Sequence, residues 1–338
     1  MTEFLQLTAA NITLASVYLL IGQGWNLTIA VSGLLNLAIG GFYMFGGMLS
    51  YFFATGLGLP VPLGALFAVA AVALLAYVVE RLLLKPAGDR IVVQIIATIG
   101  VSLILIEAAR YAFGTDAVRP PALIPGDMVS LGGVLIAPQA LVVIGVAILS
   151  TIGIRVFIRA TDTGRAMRAC ADNPEGARAL GIDVGKQRTI AYTLAGALAA
   201  LAGVLIAPLI PITYASGDFI ALKAFLAIAI VGLANFAWAP VGALVVASLE
   251  GYLAGYGLSD YRDIIVLSLL IVVLMLRVLK PQGLRRLLPK PAPPGDIVQQ
   301  PTGLTGVIRY TGSGLTSEAD RKTHEDEGTR ERKTETAG

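Results

Sequence analysis

Ionisable side chains inside apolar stretches are the residues of this chain best placed to do chemistry, because such groups are costly in lipid and usually bind or pair with something. Glu107 and Arg110 have the spacing of neighbours on a helix. We interpret them as a structural ion pair, and a contact with the substrate is the less favoured alternative. Lys223 begins an apolar stretch, where its long side chain is expected to reach toward the membrane surface. Glu250 has no cation nearby in the sequence, so a Lys or Arg from another helix is its expected partner.

Uncharged polar residues form a second group of candidates. Gln94, Thr98 and Ser102 are four residues apart, which places them on one face of a helix, and Asn36 precedes a glycine-rich segment. Such groups either line a wet path for a solute or make the hydrogen bonds between helices that are common in bundles. The candidate translocation path consists of Asn36, Gln94, Thr98, Ser102 and Glu250.

Motifs for catalysis or cofactor binding do not occur in the sequence. It contains no GxxxxGK[ST], GxSxG or HExxH motif. Cys170 is the only cysteine and His324 the only histidine, which argues against a disulfide, a cysteine or histidine metal site, haem ligation by histidine and a Ser-His hydrolase. We therefore predict no catalytic residue, no metal and no cofactor.

The composition indicates a membrane protein. Of 338 residues 56% are hydrophobic and 14% are charged, against roughly 25% charged in soluble domains. Apolar stretches long enough to approach a bilayer span recur at 9–30, 33–55, 61–84, 92–113, 134–154, 189–210, 219–235, 240–256 and 263–279. They predict an all-α polytopic integral membrane protein with about eight or nine transmembrane helices. The stretches 219–235 and 240–256 are either two short crossings or one re-entrant hairpin, and the glycine-rich 33–55 is a candidate broken helix.

The distribution of charge predicts the orientation. Basic residues are concentrated at 81–90, 155–188 and 277–290, which assigns these segments to the cytoplasm, whereas 114–133 and the N-terminus are assigned to the outside. No signal peptide is evident at the N-terminus. The net charge of +3 thus reflects membrane orientation and not binding to nucleic acid. Residues 1–288 are predicted to be the membrane domain, and the polar 289–338 a disordered cytoplasmic tail.

Small residues recur at four-residue spacing in two of the stretches, and each set shares one helix face. Close packing within the chain is the favoured interpretation, ahead of a dimer interface. The two sets are Ala199, Gly203 and Ala207, and Ala243, Ala247, Gly251 and Gly255.

The segment 155–188, termed the basic loop, has seven Lys or Arg residues and is predicted to contain two short helices. Asp162 or Thr163 is the expected cap of the first helix, and Asp172 or Asn173 the expected cap of PEGARAL, with Gly181 just past its end. An apolar face that a solvated loop would not need indicates a partner protein. That face consists of Ala166, Ala169, Ala177, Ala179 and Leu180.

The sequence GRAMRACADNPEGARALGIDVGKQRTIAYTLAGALAALAGVL closely resembles the cytoplasmic-loop signature of permease subunits in bacterial branched-chain amino-acid (Liv-type) ABC importers, which include urea and short-amide relatives. Glu175, Gly176 and Ala177 followed by Gly181 also have the spacing of the E-A-A-x-x-x-G core of ABC importer permeases. Further similar stretches are GLLNLAIGGFYMFGG (33–47), QIIATIGVSLIL (94–105), LKAFLAIAIVGLANFAWAPVGALVVASLEG (222–251) and LRVLKPQGL (276–284).

The resemblance implies a transport subunit of the bacterial inner membrane that moves a branched-chain amino acid or related small amphipathic solute inward. Its implied partners are a second, homologous permease, two ATP-hydrolysing subunits and a soluble solute-binding protein. The segment that would dock into the ATPase cleft includes Gly164, Arg165, Arg168, Glu175, Ala177 and Gly181. The alternative is a stand-alone ion-coupled transporter or channel, which usually has several intramembrane carboxylates or histidines, whereas this chain offers chiefly Glu107 and Glu250.

Overall fold

The computed structural model describes residues 2–33, 35–88, 90–131, 134–257 and 259–279. The helices are α1 (Thr2–Ser32), α2 (Ile39–Tyr51), α3 (Val61–Val79), α4 (Ile91–Phe113), α5 (Pro138–Ala160), α6 (Asp162–Asp172), α7 (Pro174–Ala179), α8 (Val184–Ile206), α9 (Ser216–Val231), α10 (Ala239–Gly255) and α11 (Arg262–Leu279). Helices α2 and α3 continue into π-helical turns at Phe52–Gly56 and Glu80–Leu84, and Ser259–Tyr261 is a 3₁₀ turn. Strands β1 (Val129–Leu131) and β2 (Val134–Ile136) form an antiparallel hairpin. The predicted all-α class is confirmed.

Five of the described helical segments are long and apolar enough to cross a membrane. They are Glu3–Ser32, Val61–Leu84, Ile91–Phe113, Pro138–Ala160 and Val184–Ile206. Helices α9 and α10 are shorter, with 16 and 17 residues, and residues 232–238 connect them. The predicted stretches 219–235 and 240–256 are thus two separate helices.

The helix break predicted in the stretch 33–55 lies near its start, before the glycines at 40, 41, 46 and 47. Helix α1 runs to Ser32, and α2 begins only at Ile39. Asn36, Ala38 and Ile39 are at most 1% exposed, so the start of α2 and the residues directly before it lie inside the protein. The glycines that follow are helical and serve close packing.

Helix α8 is the centre of the bundle, and small residues bring its backbone close to α2. A Cβ atom on Gly203 would lie 2.0 Å from the carbonyl oxygen of Tyr43, and one on Gly46 would lie 2.5 Å from Cα of Ala200. Without side chains at these positions the two helices approach closely and gain van der Waals contact. Helix α10 packs on α1 with Gly251 against the side chain of Asn11. The small residues therefore pack within this chain, as the favoured interpretation predicts.

Replacing Gly203 with alanine is expected to lower the free energy of unfolding by about 1–3 kcal/mol, because the new methyl group overlaps the α2 backbone. The measurement is the thermal unfolding midpoint of the detergent-solubilised protein. Gly100→Ala is the matched control, since a Cβ atom on Gly100 of α4 would meet nothing within 4 Å. Equal midpoints for the two variants would contradict the close approach of α2 and α8.

The end of the chain lies outside the described residues. The residues beyond the described part include the predicted disordered tail, 289–338, with His324, and the basic residues of 280–290.

Candidate functional site

The first helix of the basic loop begins at a side-chain cap. Oγ1 of Thr161 accepts a hydrogen bond from the amide of Gly164 at 3.0 Å. The prediction of Asp162 or Thr163 as the cap is therefore wrong by one or two residues. Thr161 has the extended backbone that a cap requires, whereas Asp162 is already helical. The Asp162 carboxylate instead pairs with Arg165, one turn along α6.

The second helix, α7, has fixed geometry at both ends. Oδ1 of Asn173 accepts from the amides of Glu175 at 3.1 Å and Gly176 at 3.0 Å, so Asn173 is the cap. Gly181 has φ +80°, a conformation that favours glycine. The Gly181 amide donates to the carbonyl of Arg178, and the Ile182 amide donates to that of Ala177, both at 3.0 Å. This pair of bonds is a Schellman motif, which ends the helix at a defined residue.

The predicted apolar face of the basic loop is divided between two surroundings. Ala177 is 2% exposed and belongs to the chain's own core, whereas Leu180 is 82% exposed. Gly164 is buried as well, because a Cβ atom there would lie 2.3 Å from the carbonyl oxygen of Phe157. The surface of the two loop helices carries both charged and apolar side chains. The exposed charged side chains include those of Arg165, Arg168, Glu175 and Arg178, and Ala179 of the predicted apolar face is exposed together with Leu180.

The lone cysteine lies on the inner face of α6. Cys170 is 1% exposed. Burial raises the pKa of its thiol. A protonated, buried thiol is a poor nucleophile, so Cys170 has the properties of a structural residue.

A buried ion pair connects the basic loop to the helix bundle. Glu80, at the start of the π turn after α3, is 0% exposed, and its Oε1 accepts from Nε of Arg188 at 3.0 Å. Oγ1 of Thr189 donates to the other oxygen, Oε2, at 2.5 Å. The remaining guanidinium nitrogens donate to the carbonyls of Leu84 at 3.3 Å and Gly88 at 3.4 Å. Because Arg188 lies in the first turns of α8, this network fixes α8 to α3 directly after the loop.

Glu80 was not identified as a candidate residue in the sequence analysis. The available signal was an acidic residue inside the apolar stretch 61–84.

The three polar residues predicted to share a face of α4 do so, but they contact different partners. Nε2 of Gln94 donates to the carbonyl of Gly88 and so joins the ion-pair network. Oγ1 of Thr98 donates within α4, to the carbonyl of Ile95 at 2.9 Å. Oγ of Ser102 donates to Oδ1 of Asp218 in α9 at 3.1 Å.

Helices α2 and α9 meet at their first turns. A Cβ atom on Gly217 would lie 2.4 Å from the carbonyl oxygen of Gly40, so the two backbones touch. Oδ1 of Asn36 accepts from the amide of Ala38 at 3.1 Å, just before α2. Its Nδ2 has no hydrogen-bond partner among the described residues. Neither helix has a side-chain cap.

A second buried charge cluster joins α1, α9, α10 and α11. Nζ of Lys223 donates to Oε1 of Glu250 at 2.5 Å and to Oδ1 of Asp263 at 2.7 Å. The hydroxyl of Tyr18 donates to Oε2 of Glu250. The prediction that Glu250 pairs with a cation from another helix is confirmed, and the prediction that Lys223 reaches for the surface is wrong. Lys223 is 5% exposed, because the buried carboxylate of Glu250 and the half-exposed carboxylate of Asp263 offset the desolvation of its ammonium group.

The exposed pair in α4 has the predicted form. Nε of Arg110 donates to Oε2 of Glu107 at 2.9 Å. Both side chains are more than half exposed, and such a pair contributes little stability.

Among the described residues, no three His, Cys, Asp or Glu side chains lie close enough to hold a metal ion.

The geometry therefore comprises an ordered loop fixed to a helix bundle, two charge networks and a close contact between the first turns of α2 and α9. Comparison with known proteins gives the family. Residues 7–274 match the family described as branched-chain amino acid transport system / permease component. The chain is 30% identical over 290 residues to the high-affinity branched-chain amino acid transport system permease protein BraD of Pseudomonas aeruginosa, covering 81% of this chain and 94% of BraD.

Two Escherichia coli permease proteins named for high-affinity branched-chain amino acid transport are also similar. LivH is 29% identical over 287 residues, covering 80% of this chain and 93% of LivH. LivM is 26% identical over 302 residues, covering 80% of this chain and 68% of LivM. The match over most of the chain and the bundle of apolar helices lead to one conclusion: the chain belongs to the family of branched-chain amino acid transport permease components, and it is a multi-pass membrane transport subunit and not an enzyme.

Proposed function

We propose that this permease subunit imports a branched-chain amino acid or a related small amphipathic solute into the bacterial cytoplasm. In this proposal it pairs with a second, homologous permease. Two separate ATP-binding cassette subunits hydrolyse ATP, and a soluble binding protein delivers the solute. The similarity to both LivH and LivM supports a paired permease, because these are two different permease proteins of one bacterium.

The main observation in favour is the structure of the basic loop. Its two helices have defined ends at Thr161, Asn173 and Gly181, and α6 packs on the bundle through buried Met167 and Cys170. A loop that is both ordered and attached to the bundle in this way can transmit a displacement of a partner subunit to the membrane helices, which a flexible loop cannot. Its seven basic residues assign it to the cytoplasm, where ATP is hydrolysed.

We assign the docking residues by their exposure. Arg165, Arg168, Glu175 and Leu180 face outward and are proposed to contact the ATPase. Gly164 and Ala177 face the chain's own core, so in this proposal they position the docking helices without touching the partner. Gly181 sets the direction in which α7 ends.

We place the solute path near the first turns of α2 and α9, where Asn36 and Ser102 lie. Asn36 is favoured because its buried amide nitrogen has no partner among the described residues. Thr98 lies one turn from Ser102 on the same face of α4. Gln94 and Glu250 are proposed to act indirectly, since both are bound within networks that join helices.

The test is uptake of radiolabelled leucine by proteoliposomes. The complete set of two permeases, two ATPase subunits and binding protein is expected to accumulate leucine only when hydrolysable ATP is present on the ATPase side. A non-hydrolysable ATP analogue is the control. Accumulation by this chain alone, driven by a proton or sodium gradient, would instead support the stand-alone transporter.

A further inference from the structure

A carboxylate at the surface of this chain lies level with the middle of a membrane-length helix. Asp218 is exposed, and its Oδ1 accepts a hydrogen bond from Ser102 at 3.1 Å. Ser102 is the middle residue of α4, which runs from Ile91 to Phe113. At about 1.5 Å per residue, this places Asp218 about 16 Å from either end of α4.

A hydroxyl donor and the first turn of a helix lie beside the Asp218 carboxylate. Besides the Ser102 hydroxyl, the first turn of α2 lies against the carboxylate, because a Cβ atom on Gly40 would be 3.0 Å from Oδ1. The N-terminus of a helix attracts anions through its unpaired amides and its dipole. The α2 helix has no side-chain cap of its own. Oδ2 of Asp218 has no hydrogen-bond partner among the described residues. One carboxylate oxygen is therefore bound by Ser102, and the other can accept a hydrogen bond from a ligand.

Lipid is an unfavourable neighbour for this surface. An ionisable side chain at the centre of a bilayer is costly, and non-helical backbone at that depth is tolerated only inside protein or beside water. The starts of α2 and α9 both follow non-helical segments, at residues 35–38 and 207–215. This side of the chain must therefore face another protein or a water-filled path.

We propose that Asp218 lines the solute path between the two permease subunits and binds the ammonium group of the amino-acid solute through Oδ2. This inference rests on the proposed function and adds a recognition residue to it. An ammonium group matches the site because it donates charge-assisted hydrogen bonds to a carboxylate. The apolar side chain of the solute would lie against neighbouring residues such as Phe219, which is 55% exposed.

Asp218→Asn isolates the charge, because the amide oxygen can still accept from Ser102. In the complete reconstituted transporter, with solute-loaded binding protein at saturation, the rate of leucine uptake is expected to fall about 10- to 100-fold, the loss typical of one charged hydrogen bond. Asp218→Glu should retain most of the rate. Glu107→Gln, at an exposed carboxylate paired with Arg110, is the matched control and should not change it. Permease level and co-purification with the ATPase should be normal in all three variants.

A second measurement keeps the inference testable without uptake. The Asp218→Cys variant is expected to react with a cationic, membrane-impermeant thiol reagent, and leucine-loaded binding protein should slow the reaction. Ile104→Cys, at a 67% exposed apolar position on α4, is the control, which in this proposal faces lipid and should not react. The native Cys170 is buried and adds little background.

Normal uptake by Asp218→Asn, or no reaction of the Asp218→Cys variant, would overturn the inference. ATP-driven uptake by the unaltered complex would then still support the proposed function. If that complex took up leucine without its ATPase, the proposed function itself would fail, and the two outcomes are therefore distinguishable.

Discussion

Leu180→Glu is expected to separate the permease from its ATPase subunits while leaving the permease folded. Leu180 is 82% exposed at the end of α7, so the substitution disturbs little within the chain. At an interface, the same change would bury a carboxylate without a partner in place of an apolar contact. Loss of a central contact of this kind typically costs at least about 2 kcal/mol, or about 30-fold in affinity. Pull-down of the ATPase and ATP turnover stimulated by the binding protein should both fall accordingly.

Three further variants distinguish docking from folding. Leu180→Met keeps an apolar side chain and should bind normally. Ala177→Glu, at a position 2% exposed, should instead lower the amount of folded permease. Gly181→Val places a branched side chain at φ +80° and should misdirect the end of α7, which costs roughly 1 kcal/mol or more. Unchanged binding and turnover for Leu180→Glu would show that α7 is not the docking helix.

Glu80→Leu is expected to destabilise the protein by about 3–5 kcal/mol, because it leaves the guanidinium group of Arg188 buried without its counter-charge. Glu80 is fully buried and holds both Arg188 and Thr189, so its loss releases the start of α8 from α3. The thermal unfolding midpoint in detergent, followed by size-exclusion chromatography after heating, should fall markedly.

The double variant Glu80→Leu with Arg188→Met tests whether the unpaired charge of Arg188 causes the loss of stability in Glu80→Leu. It removes the unpaired charge as well, so part of the lost stability should return. Glu107→Gln breaks an ion pair that is more than half exposed and should change stability by at most about 1 kcal/mol. A midpoint for Glu80→Leu as high as that of Glu107→Gln would contradict the buried network.

Local features of this protein could be predicted from its sequence. The apolar stretches gave the class, because the length and continuity of apolar residues reflect the thickness of a bilayer. The second loop helix was predicted with one of its two candidate caps, Asn173, and with its end at Gly181, because caps and positive φ depend on residues only a few positions apart. The family was evident for the same reason, since its signature is one continuous segment.

The tertiary structure decided which side chains meet. Glu80 and Arg188 are 108 residues apart, and Ser102 and Asp218 are 116 apart, so no local pattern could pair them. Lys223 was misinterpreted because its carboxylate partners come from two other helices. Residues 177 and 180 looked alike as apolar positions of one short helix, yet one is buried and the other exposed. Amino-acid type and spacing determine which helices form and which faces are apolar, whereas the partner of each buried charge is determined by how those helices pack.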